Sequence, residues 1–142
     1  MGRILAIDYG QKRVGLAVTD EMQIIATGLD TVHVNDLFAY LEKYIESKSI
    51  EKIVVGEPRN LDNTPSDSQR FIEPFIKKLK KHFPDIPVFR VDERFTSKMA
   101  KDVILSSGIG KKARQKKELV DKISATIMLQ SFMQQQLMKE KY

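Results

Sequence analysis

Two short runs rich in aliphatic residues, RILAID at 3–8 and VGLAVT at 14–19, are separated only by YGQKR. That spacing, with Gly10 in the connection, predicts a hairpin. Two further runs, KIVVG at 52–56 and IPVFRVD at 86–92, are almost continuously apolar. Strands of this kind are covered on both faces, so they demand a sheet sandwiched between helices.

Helical patterns fill the intervals. VNDLFAYLEKYIESKS places Leu37, Phe38, Leu41 and Ile45 on one stripe, with Asn35 as the expected N-cap. A second helix is expected from Ser66, whose spacing to Gln69 fits a capping box, with Phe71, Phe75 and Leu79 on its buried face. Pro74 lies inside that pattern and predicts a kink or a late start. SKMAKDVILSSG, closed by Gly108, and LVDKISATIMLQSFMQQQLMKE supply two more helices. Ile24 to Thr27 reads as a third strand continuing the hairpin into a meander. The order is β-β-β-α-β-α-β-α-α. It predicts an α/β fold with a five-stranded mixed sheet, three strands antiparallel and two parallel, flanked by helices on both faces.

The chain has 142 residues, which suits a single domain over 1–142, and no run approaches the roughly 20 apolar residues of a membrane helix. There is no Cys, so disulfide and thiolate chemistry are excluded. A cytoplasmic protein is the simplest expectation. The formal net charge of +5 favours polyanionic partners.

Acidic residues fall where the strands end. Asp8 closes the first, Glu57 follows KIVVG, and Asp92 and Glu93 end the fifth. Ligands of open α/β sheets bind beyond such strand ends. Converging carboxylates repel unless a cation joins them, and hard oxygen donors suit Mg²⁺ or Mn²⁺. Each acid also has a plain explanation. Asp8 would serve as a turn former, Glu57 as a solvated loop residue, and Asp92 or Glu93 as a partner for Arg94 or a helix cap. Asp121 interrupts an apolar stretch and shares a helical stripe with Ser124, Ala125 and Met128. That small-residue face suits close packing on a sheet; a solvent-facing Asp near a helix start is the alternative. His33 and His82 are expected at the surface.

AIDYGQKRVGLAVTD, IVVGEPRNLDN, VDERFTS and KKARQKKELVDKISATIMLQ occur in that order across nearly the whole chain. In this combination the sequence resembles the YqgF (RuvX) family of ribonuclease H-like proteins, described as Holliday-junction resolvases or as nucleases maturing the 5′ end of pre-16S rRNA. The resemblance implies a metal-dependent nuclease with Asp8, Glu93 and Asp121 as catalytic acids and metal ligands. Glu57 stands where many relatives carry an apolar residue, so it is at most an accessory ligand. A site with two Mg²⁺ or Mn²⁺ ions is expected, Asp8 bridging them and Glu93 and Asp121 completing one position each. Gly10 would keep space open for a phosphate there. The expected partner is nucleic acid, with pre-rRNA ahead of branched DNA, together with ribosomal particles. The protomer is expected as a monomer or homodimer. Branched-DNA cleavage and non-catalytic rRNA binding are the alternatives. An actin-like ATPase would need two nucleotide-clasping lobes, for which the chain is too short.

KKARQKK contributes Lys111, Lys112, Arg114, Lys116 and Lys117 just before Asp121. Such a run is either a solvated face or a phosphate-gripping loop. Arg13, Arg59 and Arg94 would extend its footprint, and Tyr9 and Phe95 are the candidates for stacking on bases. Replacing the five basic residues of the run by Ala should weaken nucleic-acid binding and flatten its salt dependence, by ~0.9 in log–log slope per lost contact on duplex DNA. Binding isotherms across a salt series check this, and an unchanged slope would leave the run a solvated face.

Overall fold

Strand β1 (Arg3–Tyr9) has apolar residues in both phases of its alternation, and the chain covers both faces. Leu5 and Ile7 enter one core, Ile4 and Ala6 another. The computed structural model describes residues 2–57, 69–92 and 117–141. Its other strands are β2 (Arg13–Thr19), β3 (Ala26–His33), β4 (Ile50–Glu57) and β5 (Val88–Asp92). The sheet order is β3-β2-β1-β4-β5, so β1 is the middle strand. It pairs antiparallel with β2 and parallel with β4; β3 extends the antiparallel half and β5 the parallel half. This is the mixed five-stranded arrangement expected from the sequence.

Helices α1 (Leu37–Ser47) and α2 (Gln69–His82) cover one face, and α3 (Lys117–Lys141) the other. On the α1/α2 side, Leu5, Ile7, Leu16 and Ile53 of the sheet meet Leu37, Leu41, Ile72 and Leu79, all at most 2% exposed. Each fully buried chain of this size contributes ~1.5–3 kcal/mol, so this face carries most of the hydrophobic stabilisation. The α3 face is built differently. Ala6 and Ala17 meet Ala125, with Met128, Leu129 and Phe132 filling the space farther along the helix. Small residues there let the helix approach the sheet closely. At Gly15 a Cβ would lie 2.1 Å from the carbonyl oxygen of Asp121.

Several local expectations change. The third strand runs on past Thr27 to His33, and it begins at Ala26 rather than Ile24. The cause is Asp20, whose carboxylate accepts from the backbone N–H groups of Met22, Ile24 and Ile25 at 3.1, 2.8 and 2.8 Å. Those contacts hold residues 20–25 as a turn, with Gln23 at φ 56°, and leave Ile24 and Ile25 exposed. They also hold the Asp20 carboxyl below its usual range, led by the Ile25 N–H.

Asn35 is not the cap of α1. A short 3-10 turn, Val34–Asp36, precedes that helix, and His33 caps the turn by accepting the Asn35 N–H on Nδ1 at 3.1 Å. In α2 the buried stripe is Ile72, Phe75, Ile76 and Leu79; Phe71 is 41% exposed. Pro74 lies within this helix, which is already formed at Gln69, so the helix does not start late at Pro74. Ser66 and the helix expected over SKMAKDVILSSG lie outside the described residues.

The close contact at Gly15 gives a stability test. Gly15→Ala must displace the α3 backbone and should destabilise the protein by ~1–3 kcal/mol, the usual cost of overpacking. Gly28→Ala would meet the Lys122 side chain instead, 2.7 Å from Cγ, and that chain can rotate away. Urea unfolding of both variants should rank Gly15→Ala clearly below Gly28→Ala.

Candidate active site

Asp8 is the penultimate residue of the central strand, in phase with Ile4 and Ala6, which face α3. Its cross-strand partner is Gly15 of β2. Directly paired residues of antiparallel strands project to the same face, so Asp8 belongs to the α3 side. Gly15 has no side chain, and its place is taken by the backbone of Asp121. One glycine therefore has the two candidate acids as neighbours, Asp8 within the sheet and Asp121 above it. The small-residue stripe expected for α3 accounts for the approach: Ser124, Ala125 and Met128 are buried, and Asp121 is half-buried at the start of the stripe.

Asp121 is held by a partner from the hairpin. Arg13 Nε donates to Asp121 Oδ2 at 2.7 Å, across a sequence separation of 108 residues. The side chains are 33% and 25% exposed, so the pair is partly shielded from water. A charge-assisted bond of this length is among the stronger kinds and fixes the carboxylate orientation. It also places one positive charge among the acids. Gly10 has a structural reason of its own: a Cβ there would lie 2.5 Å from the Arg13 carbonyl oxygen, so the turn that presents Arg13 requires glycine.

On the parallel side, Ile7 pairs with Val55, and β4 and β5 end together with Glu57 opposite Asp92. Glu57 is thus the last residue of β4 rather than the first residue after it. These backbones end on the same edge of the sheet as Asp8. Glu93, Arg94, Lys111, Lys112, Arg114 and Lys116, with Arg59 and Phe95, lie outside the described residues. Lys117 is the first residue of α3, one turn before Asp121. Among the described residues no three acidic or histidine side chains form a metal-binding group.

Tyr9 does not present its ring on the Asp8 side. It stacks on Phe75 with centroids 4.2 Å apart, packed against the α1/α2 core, and burial pushes its hydroxyl pKa up. His82 lies between Phe38 and Phe83 near the surface, as expected. Sequence reasoning missed Gly15 and the pairing of Arg13 with Asp121. An isolated glycine inside a strand pattern signals close backbone approach, and that was the available clue to the first.

The chain matches the family model "RuvX: Holliday junction resolvase" over residues 2–135. A protein of Flavobacterium psychrophilum named "Putative pre-16S rRNA nuclease" is 55% identical over 133 residues, covering 94% of this chain and 97% of that one. A protein of Phocaeicola vulgatus with the same name is 54% identical over 134 residues, with 94% and 96% covered. The fold is similar to that of a fowlpox virus resolvase solved with Holliday junction DNA, with a TM-score of 0.61, 14% identity and 95% and 99% of the two chains covered. It is likewise similar to RuvC of T. thermophilus solved with a Holliday junction substrate, with a TM-score of 0.57, 16% identity and 96% of each chain covered. The central strand, the mixed sheet and the helices on its two faces are those of the ribonuclease H-like resolvase fold, and the chain belongs to the RuvX family of resolvase-like nucleases.

Proposed function

We propose that residues 1–142 form a single divalent-cation-dependent nuclease domain that hydrolyses phosphodiester bonds in structured nucleic acid, with pre-16S rRNA as its substrate. The observation that carries this reading is the placement of Asp8 and Asp121 around Gly15, at the end of the middle strand. The choice of pre-16S rRNA is supported by the name shared by relatives above 50% identity over nearly the whole chain. Branched DNA is the second reading, favoured by the description of the family model.

The donor set fits a hard cation. Asp8 and Asp121 offer oxygen ligands, the chain has no Cys, and Glu93 follows directly on the end of β5, two residues past Val91, which is buried in the α3-side core. Asp8, Glu93 and Asp121 would hold one or two Mg²⁺ or Mn²⁺ ions, with Glu57 an accessory. The bound cations would supply Lewis-acid stabilisation of charge on the phosphoryl group. The chain's own residues do the rest. The paired middle strand fixes the position of Asp8. Arg13 holds Asp121 through Oδ2 and offsets repulsion among the acids. Arg13, Arg94 and the basic residues Lys111, Lys112, Arg114, Lys116 and Lys117 would grip phosphates around the scissile bond. Pre-rRNA in ribosomal particles is then the partner and the cytoplasm the compartment, with the protein a monomer or homodimer. Among the described residues no helix is long and apolar enough to cross a membrane.

Asp8→Asn keeps the size of the side chain and removes its charge. Cleavage should fall by at least about a hundredfold, while the melting temperature in EDTA holds or rises because carboxylate repulsion is relieved. Mn²⁺-dependent cleavage of a pre-16S rRNA 5′ segment and of a four-way DNA junction, run beside thermal melting, measures both. Full cleavage by the Asn variant would end the nuclease assignment at this site, and the substrate cut faster decides between RNA and DNA. Binding of the rRNA segment, with neither substrate cleaved by the wild type, would leave a non-catalytic rRNA-binding protein.

A further inference from the structure

On the other face of the same strand end, α1 and α2 leave a groove of about 390 Å³. Its lining includes four aromatic rings, Tyr9, Phe38, Phe71 and Phe75, together with Asn35 and Lys78. Tyr9 and Phe75 form a stacked pair, with Phe38 edge-on to Phe75 at 5.8 Å. Phe71, 41% exposed, stands at the rim. Lys78 Nζ lies 4.5 Å from the centre of the Phe38 ring. Among the described residues no acidic side chain lines the groove. Along α2, Lys77, Lys78, Lys80 and Lys81 are all exposed around the buried Leu79, so the helix presents a cationic stripe beside the groove.

We propose that this groove binds one unstacked nucleotide of the substrate strand, with its base against the aromatic lining and its phosphate on Lys78. The identity of the occupant rests on the nuclease reading and extends it to a second contact point. The volume lies within the roughly 300–1,000 Å³ of small-molecule sites. Flat rings and a cation are the two elements with which proteins hold unpaired nucleotides, since every base has a π-face and every nucleotide a phosphate. Position supports the same occupant. Tyr9 follows Asp8 directly, so groove and acids lie on opposite faces of one strand end. A strand crossing that edge of the sheet, with its scissile phosphate at the acids, would deliver a neighbouring nucleotide to the groove.

The test uses the whole protein in EDTA, so that binding is read without cleavage. Short single-stranded RNA and DNA oligonucleotides carry one fluorescent purine analogue, whose emission is quenched on stacking. Wild type should bind and quench both, because the base face and the phosphate are common to them. Phe71→Ala should bind about tenfold more weakly and lose the quench. Lys78→Gln should lower the log–log salt slope by about 0.7, the share of one phosphate contact on a single strand. Lys80→Gln, on the same helix but outside the groove, should keep the wild-type quench and salt slope. Circular dichroism confirms that each variant is folded.

Wild-type affinity and quench in Phe71→Ala, or a wild-type salt slope in Lys78→Gln, would overturn the proposal. So would a drop in salt slope in Lys80→Gln equal to that in Lys78→Gln, since it would mark a diffuse charge effect. The two readings fail separately. Asp8→Asn losing cleavage while Phe71→Ala binds normally would remove the groove and keep the nuclease. Asp8→Asn cleaving fully while Phe71→Ala loses the quench would do the reverse.

Discussion

The contact of the α3 backbone with Gly15 is the constraint on which the rest of the site depends. A helix resting on ordinary side chains would stand farther from the sheet. Here the Asp121 carbonyl occupies the volume a Cβ would fill, over the glycine that pairs with Asp8. Any larger residue at 15 would push the start of α3, and Asp121 with it, away from the strand. Ala6, Ala17 and Ala125 continue the same close approach along the interface.

The two faces of the sheet divide the work. Large aliphatic residues under α1 and α2 supply most of the buried area. That frees the α3 face to be shaped by small residues and to carry charge at its end. Arg13 offsets part of that charge through its bond to Asp121. It is presented by a turn that needs Gly10, and it reaches across to a carboxylate of the last helix. The hairpin that opens the chain thereby contributes Asp8 from one strand and the partner of Asp121 from the next.

Patterns of local period were readable. The alternation and apolar runs of β1, β2, β4 and β5 gave the strands, and the stripe of Leu37 and Leu41 gave α1. Expectations failed where a side chain intervened from a few residues away. The Asp20 carboxylate withdraws the N–H groups of Ile24 and Ile25 from any ladder and delays β3. His33 caps the turn before α1, although its ring gave no sign of doing so. Phe71 has the spacing of a buried residue, yet Ile72 and Ile76 take that place in α2.

The sequence by itself determined that Asp8 ends a strand and that Asp121 sits on a small-residue helical stripe, because both facts depend on neighbours within a few residues. Only the tertiary structure decided that these two acids flank one glycine and that Arg13 binds Asp121. The reason is physical. Arg13 and Asp121 are separated by 108 residues, and no local propensity encodes a bond between them. It exists because sheet order, strand register and helix docking are settled together by packing, and each places the others' side chains.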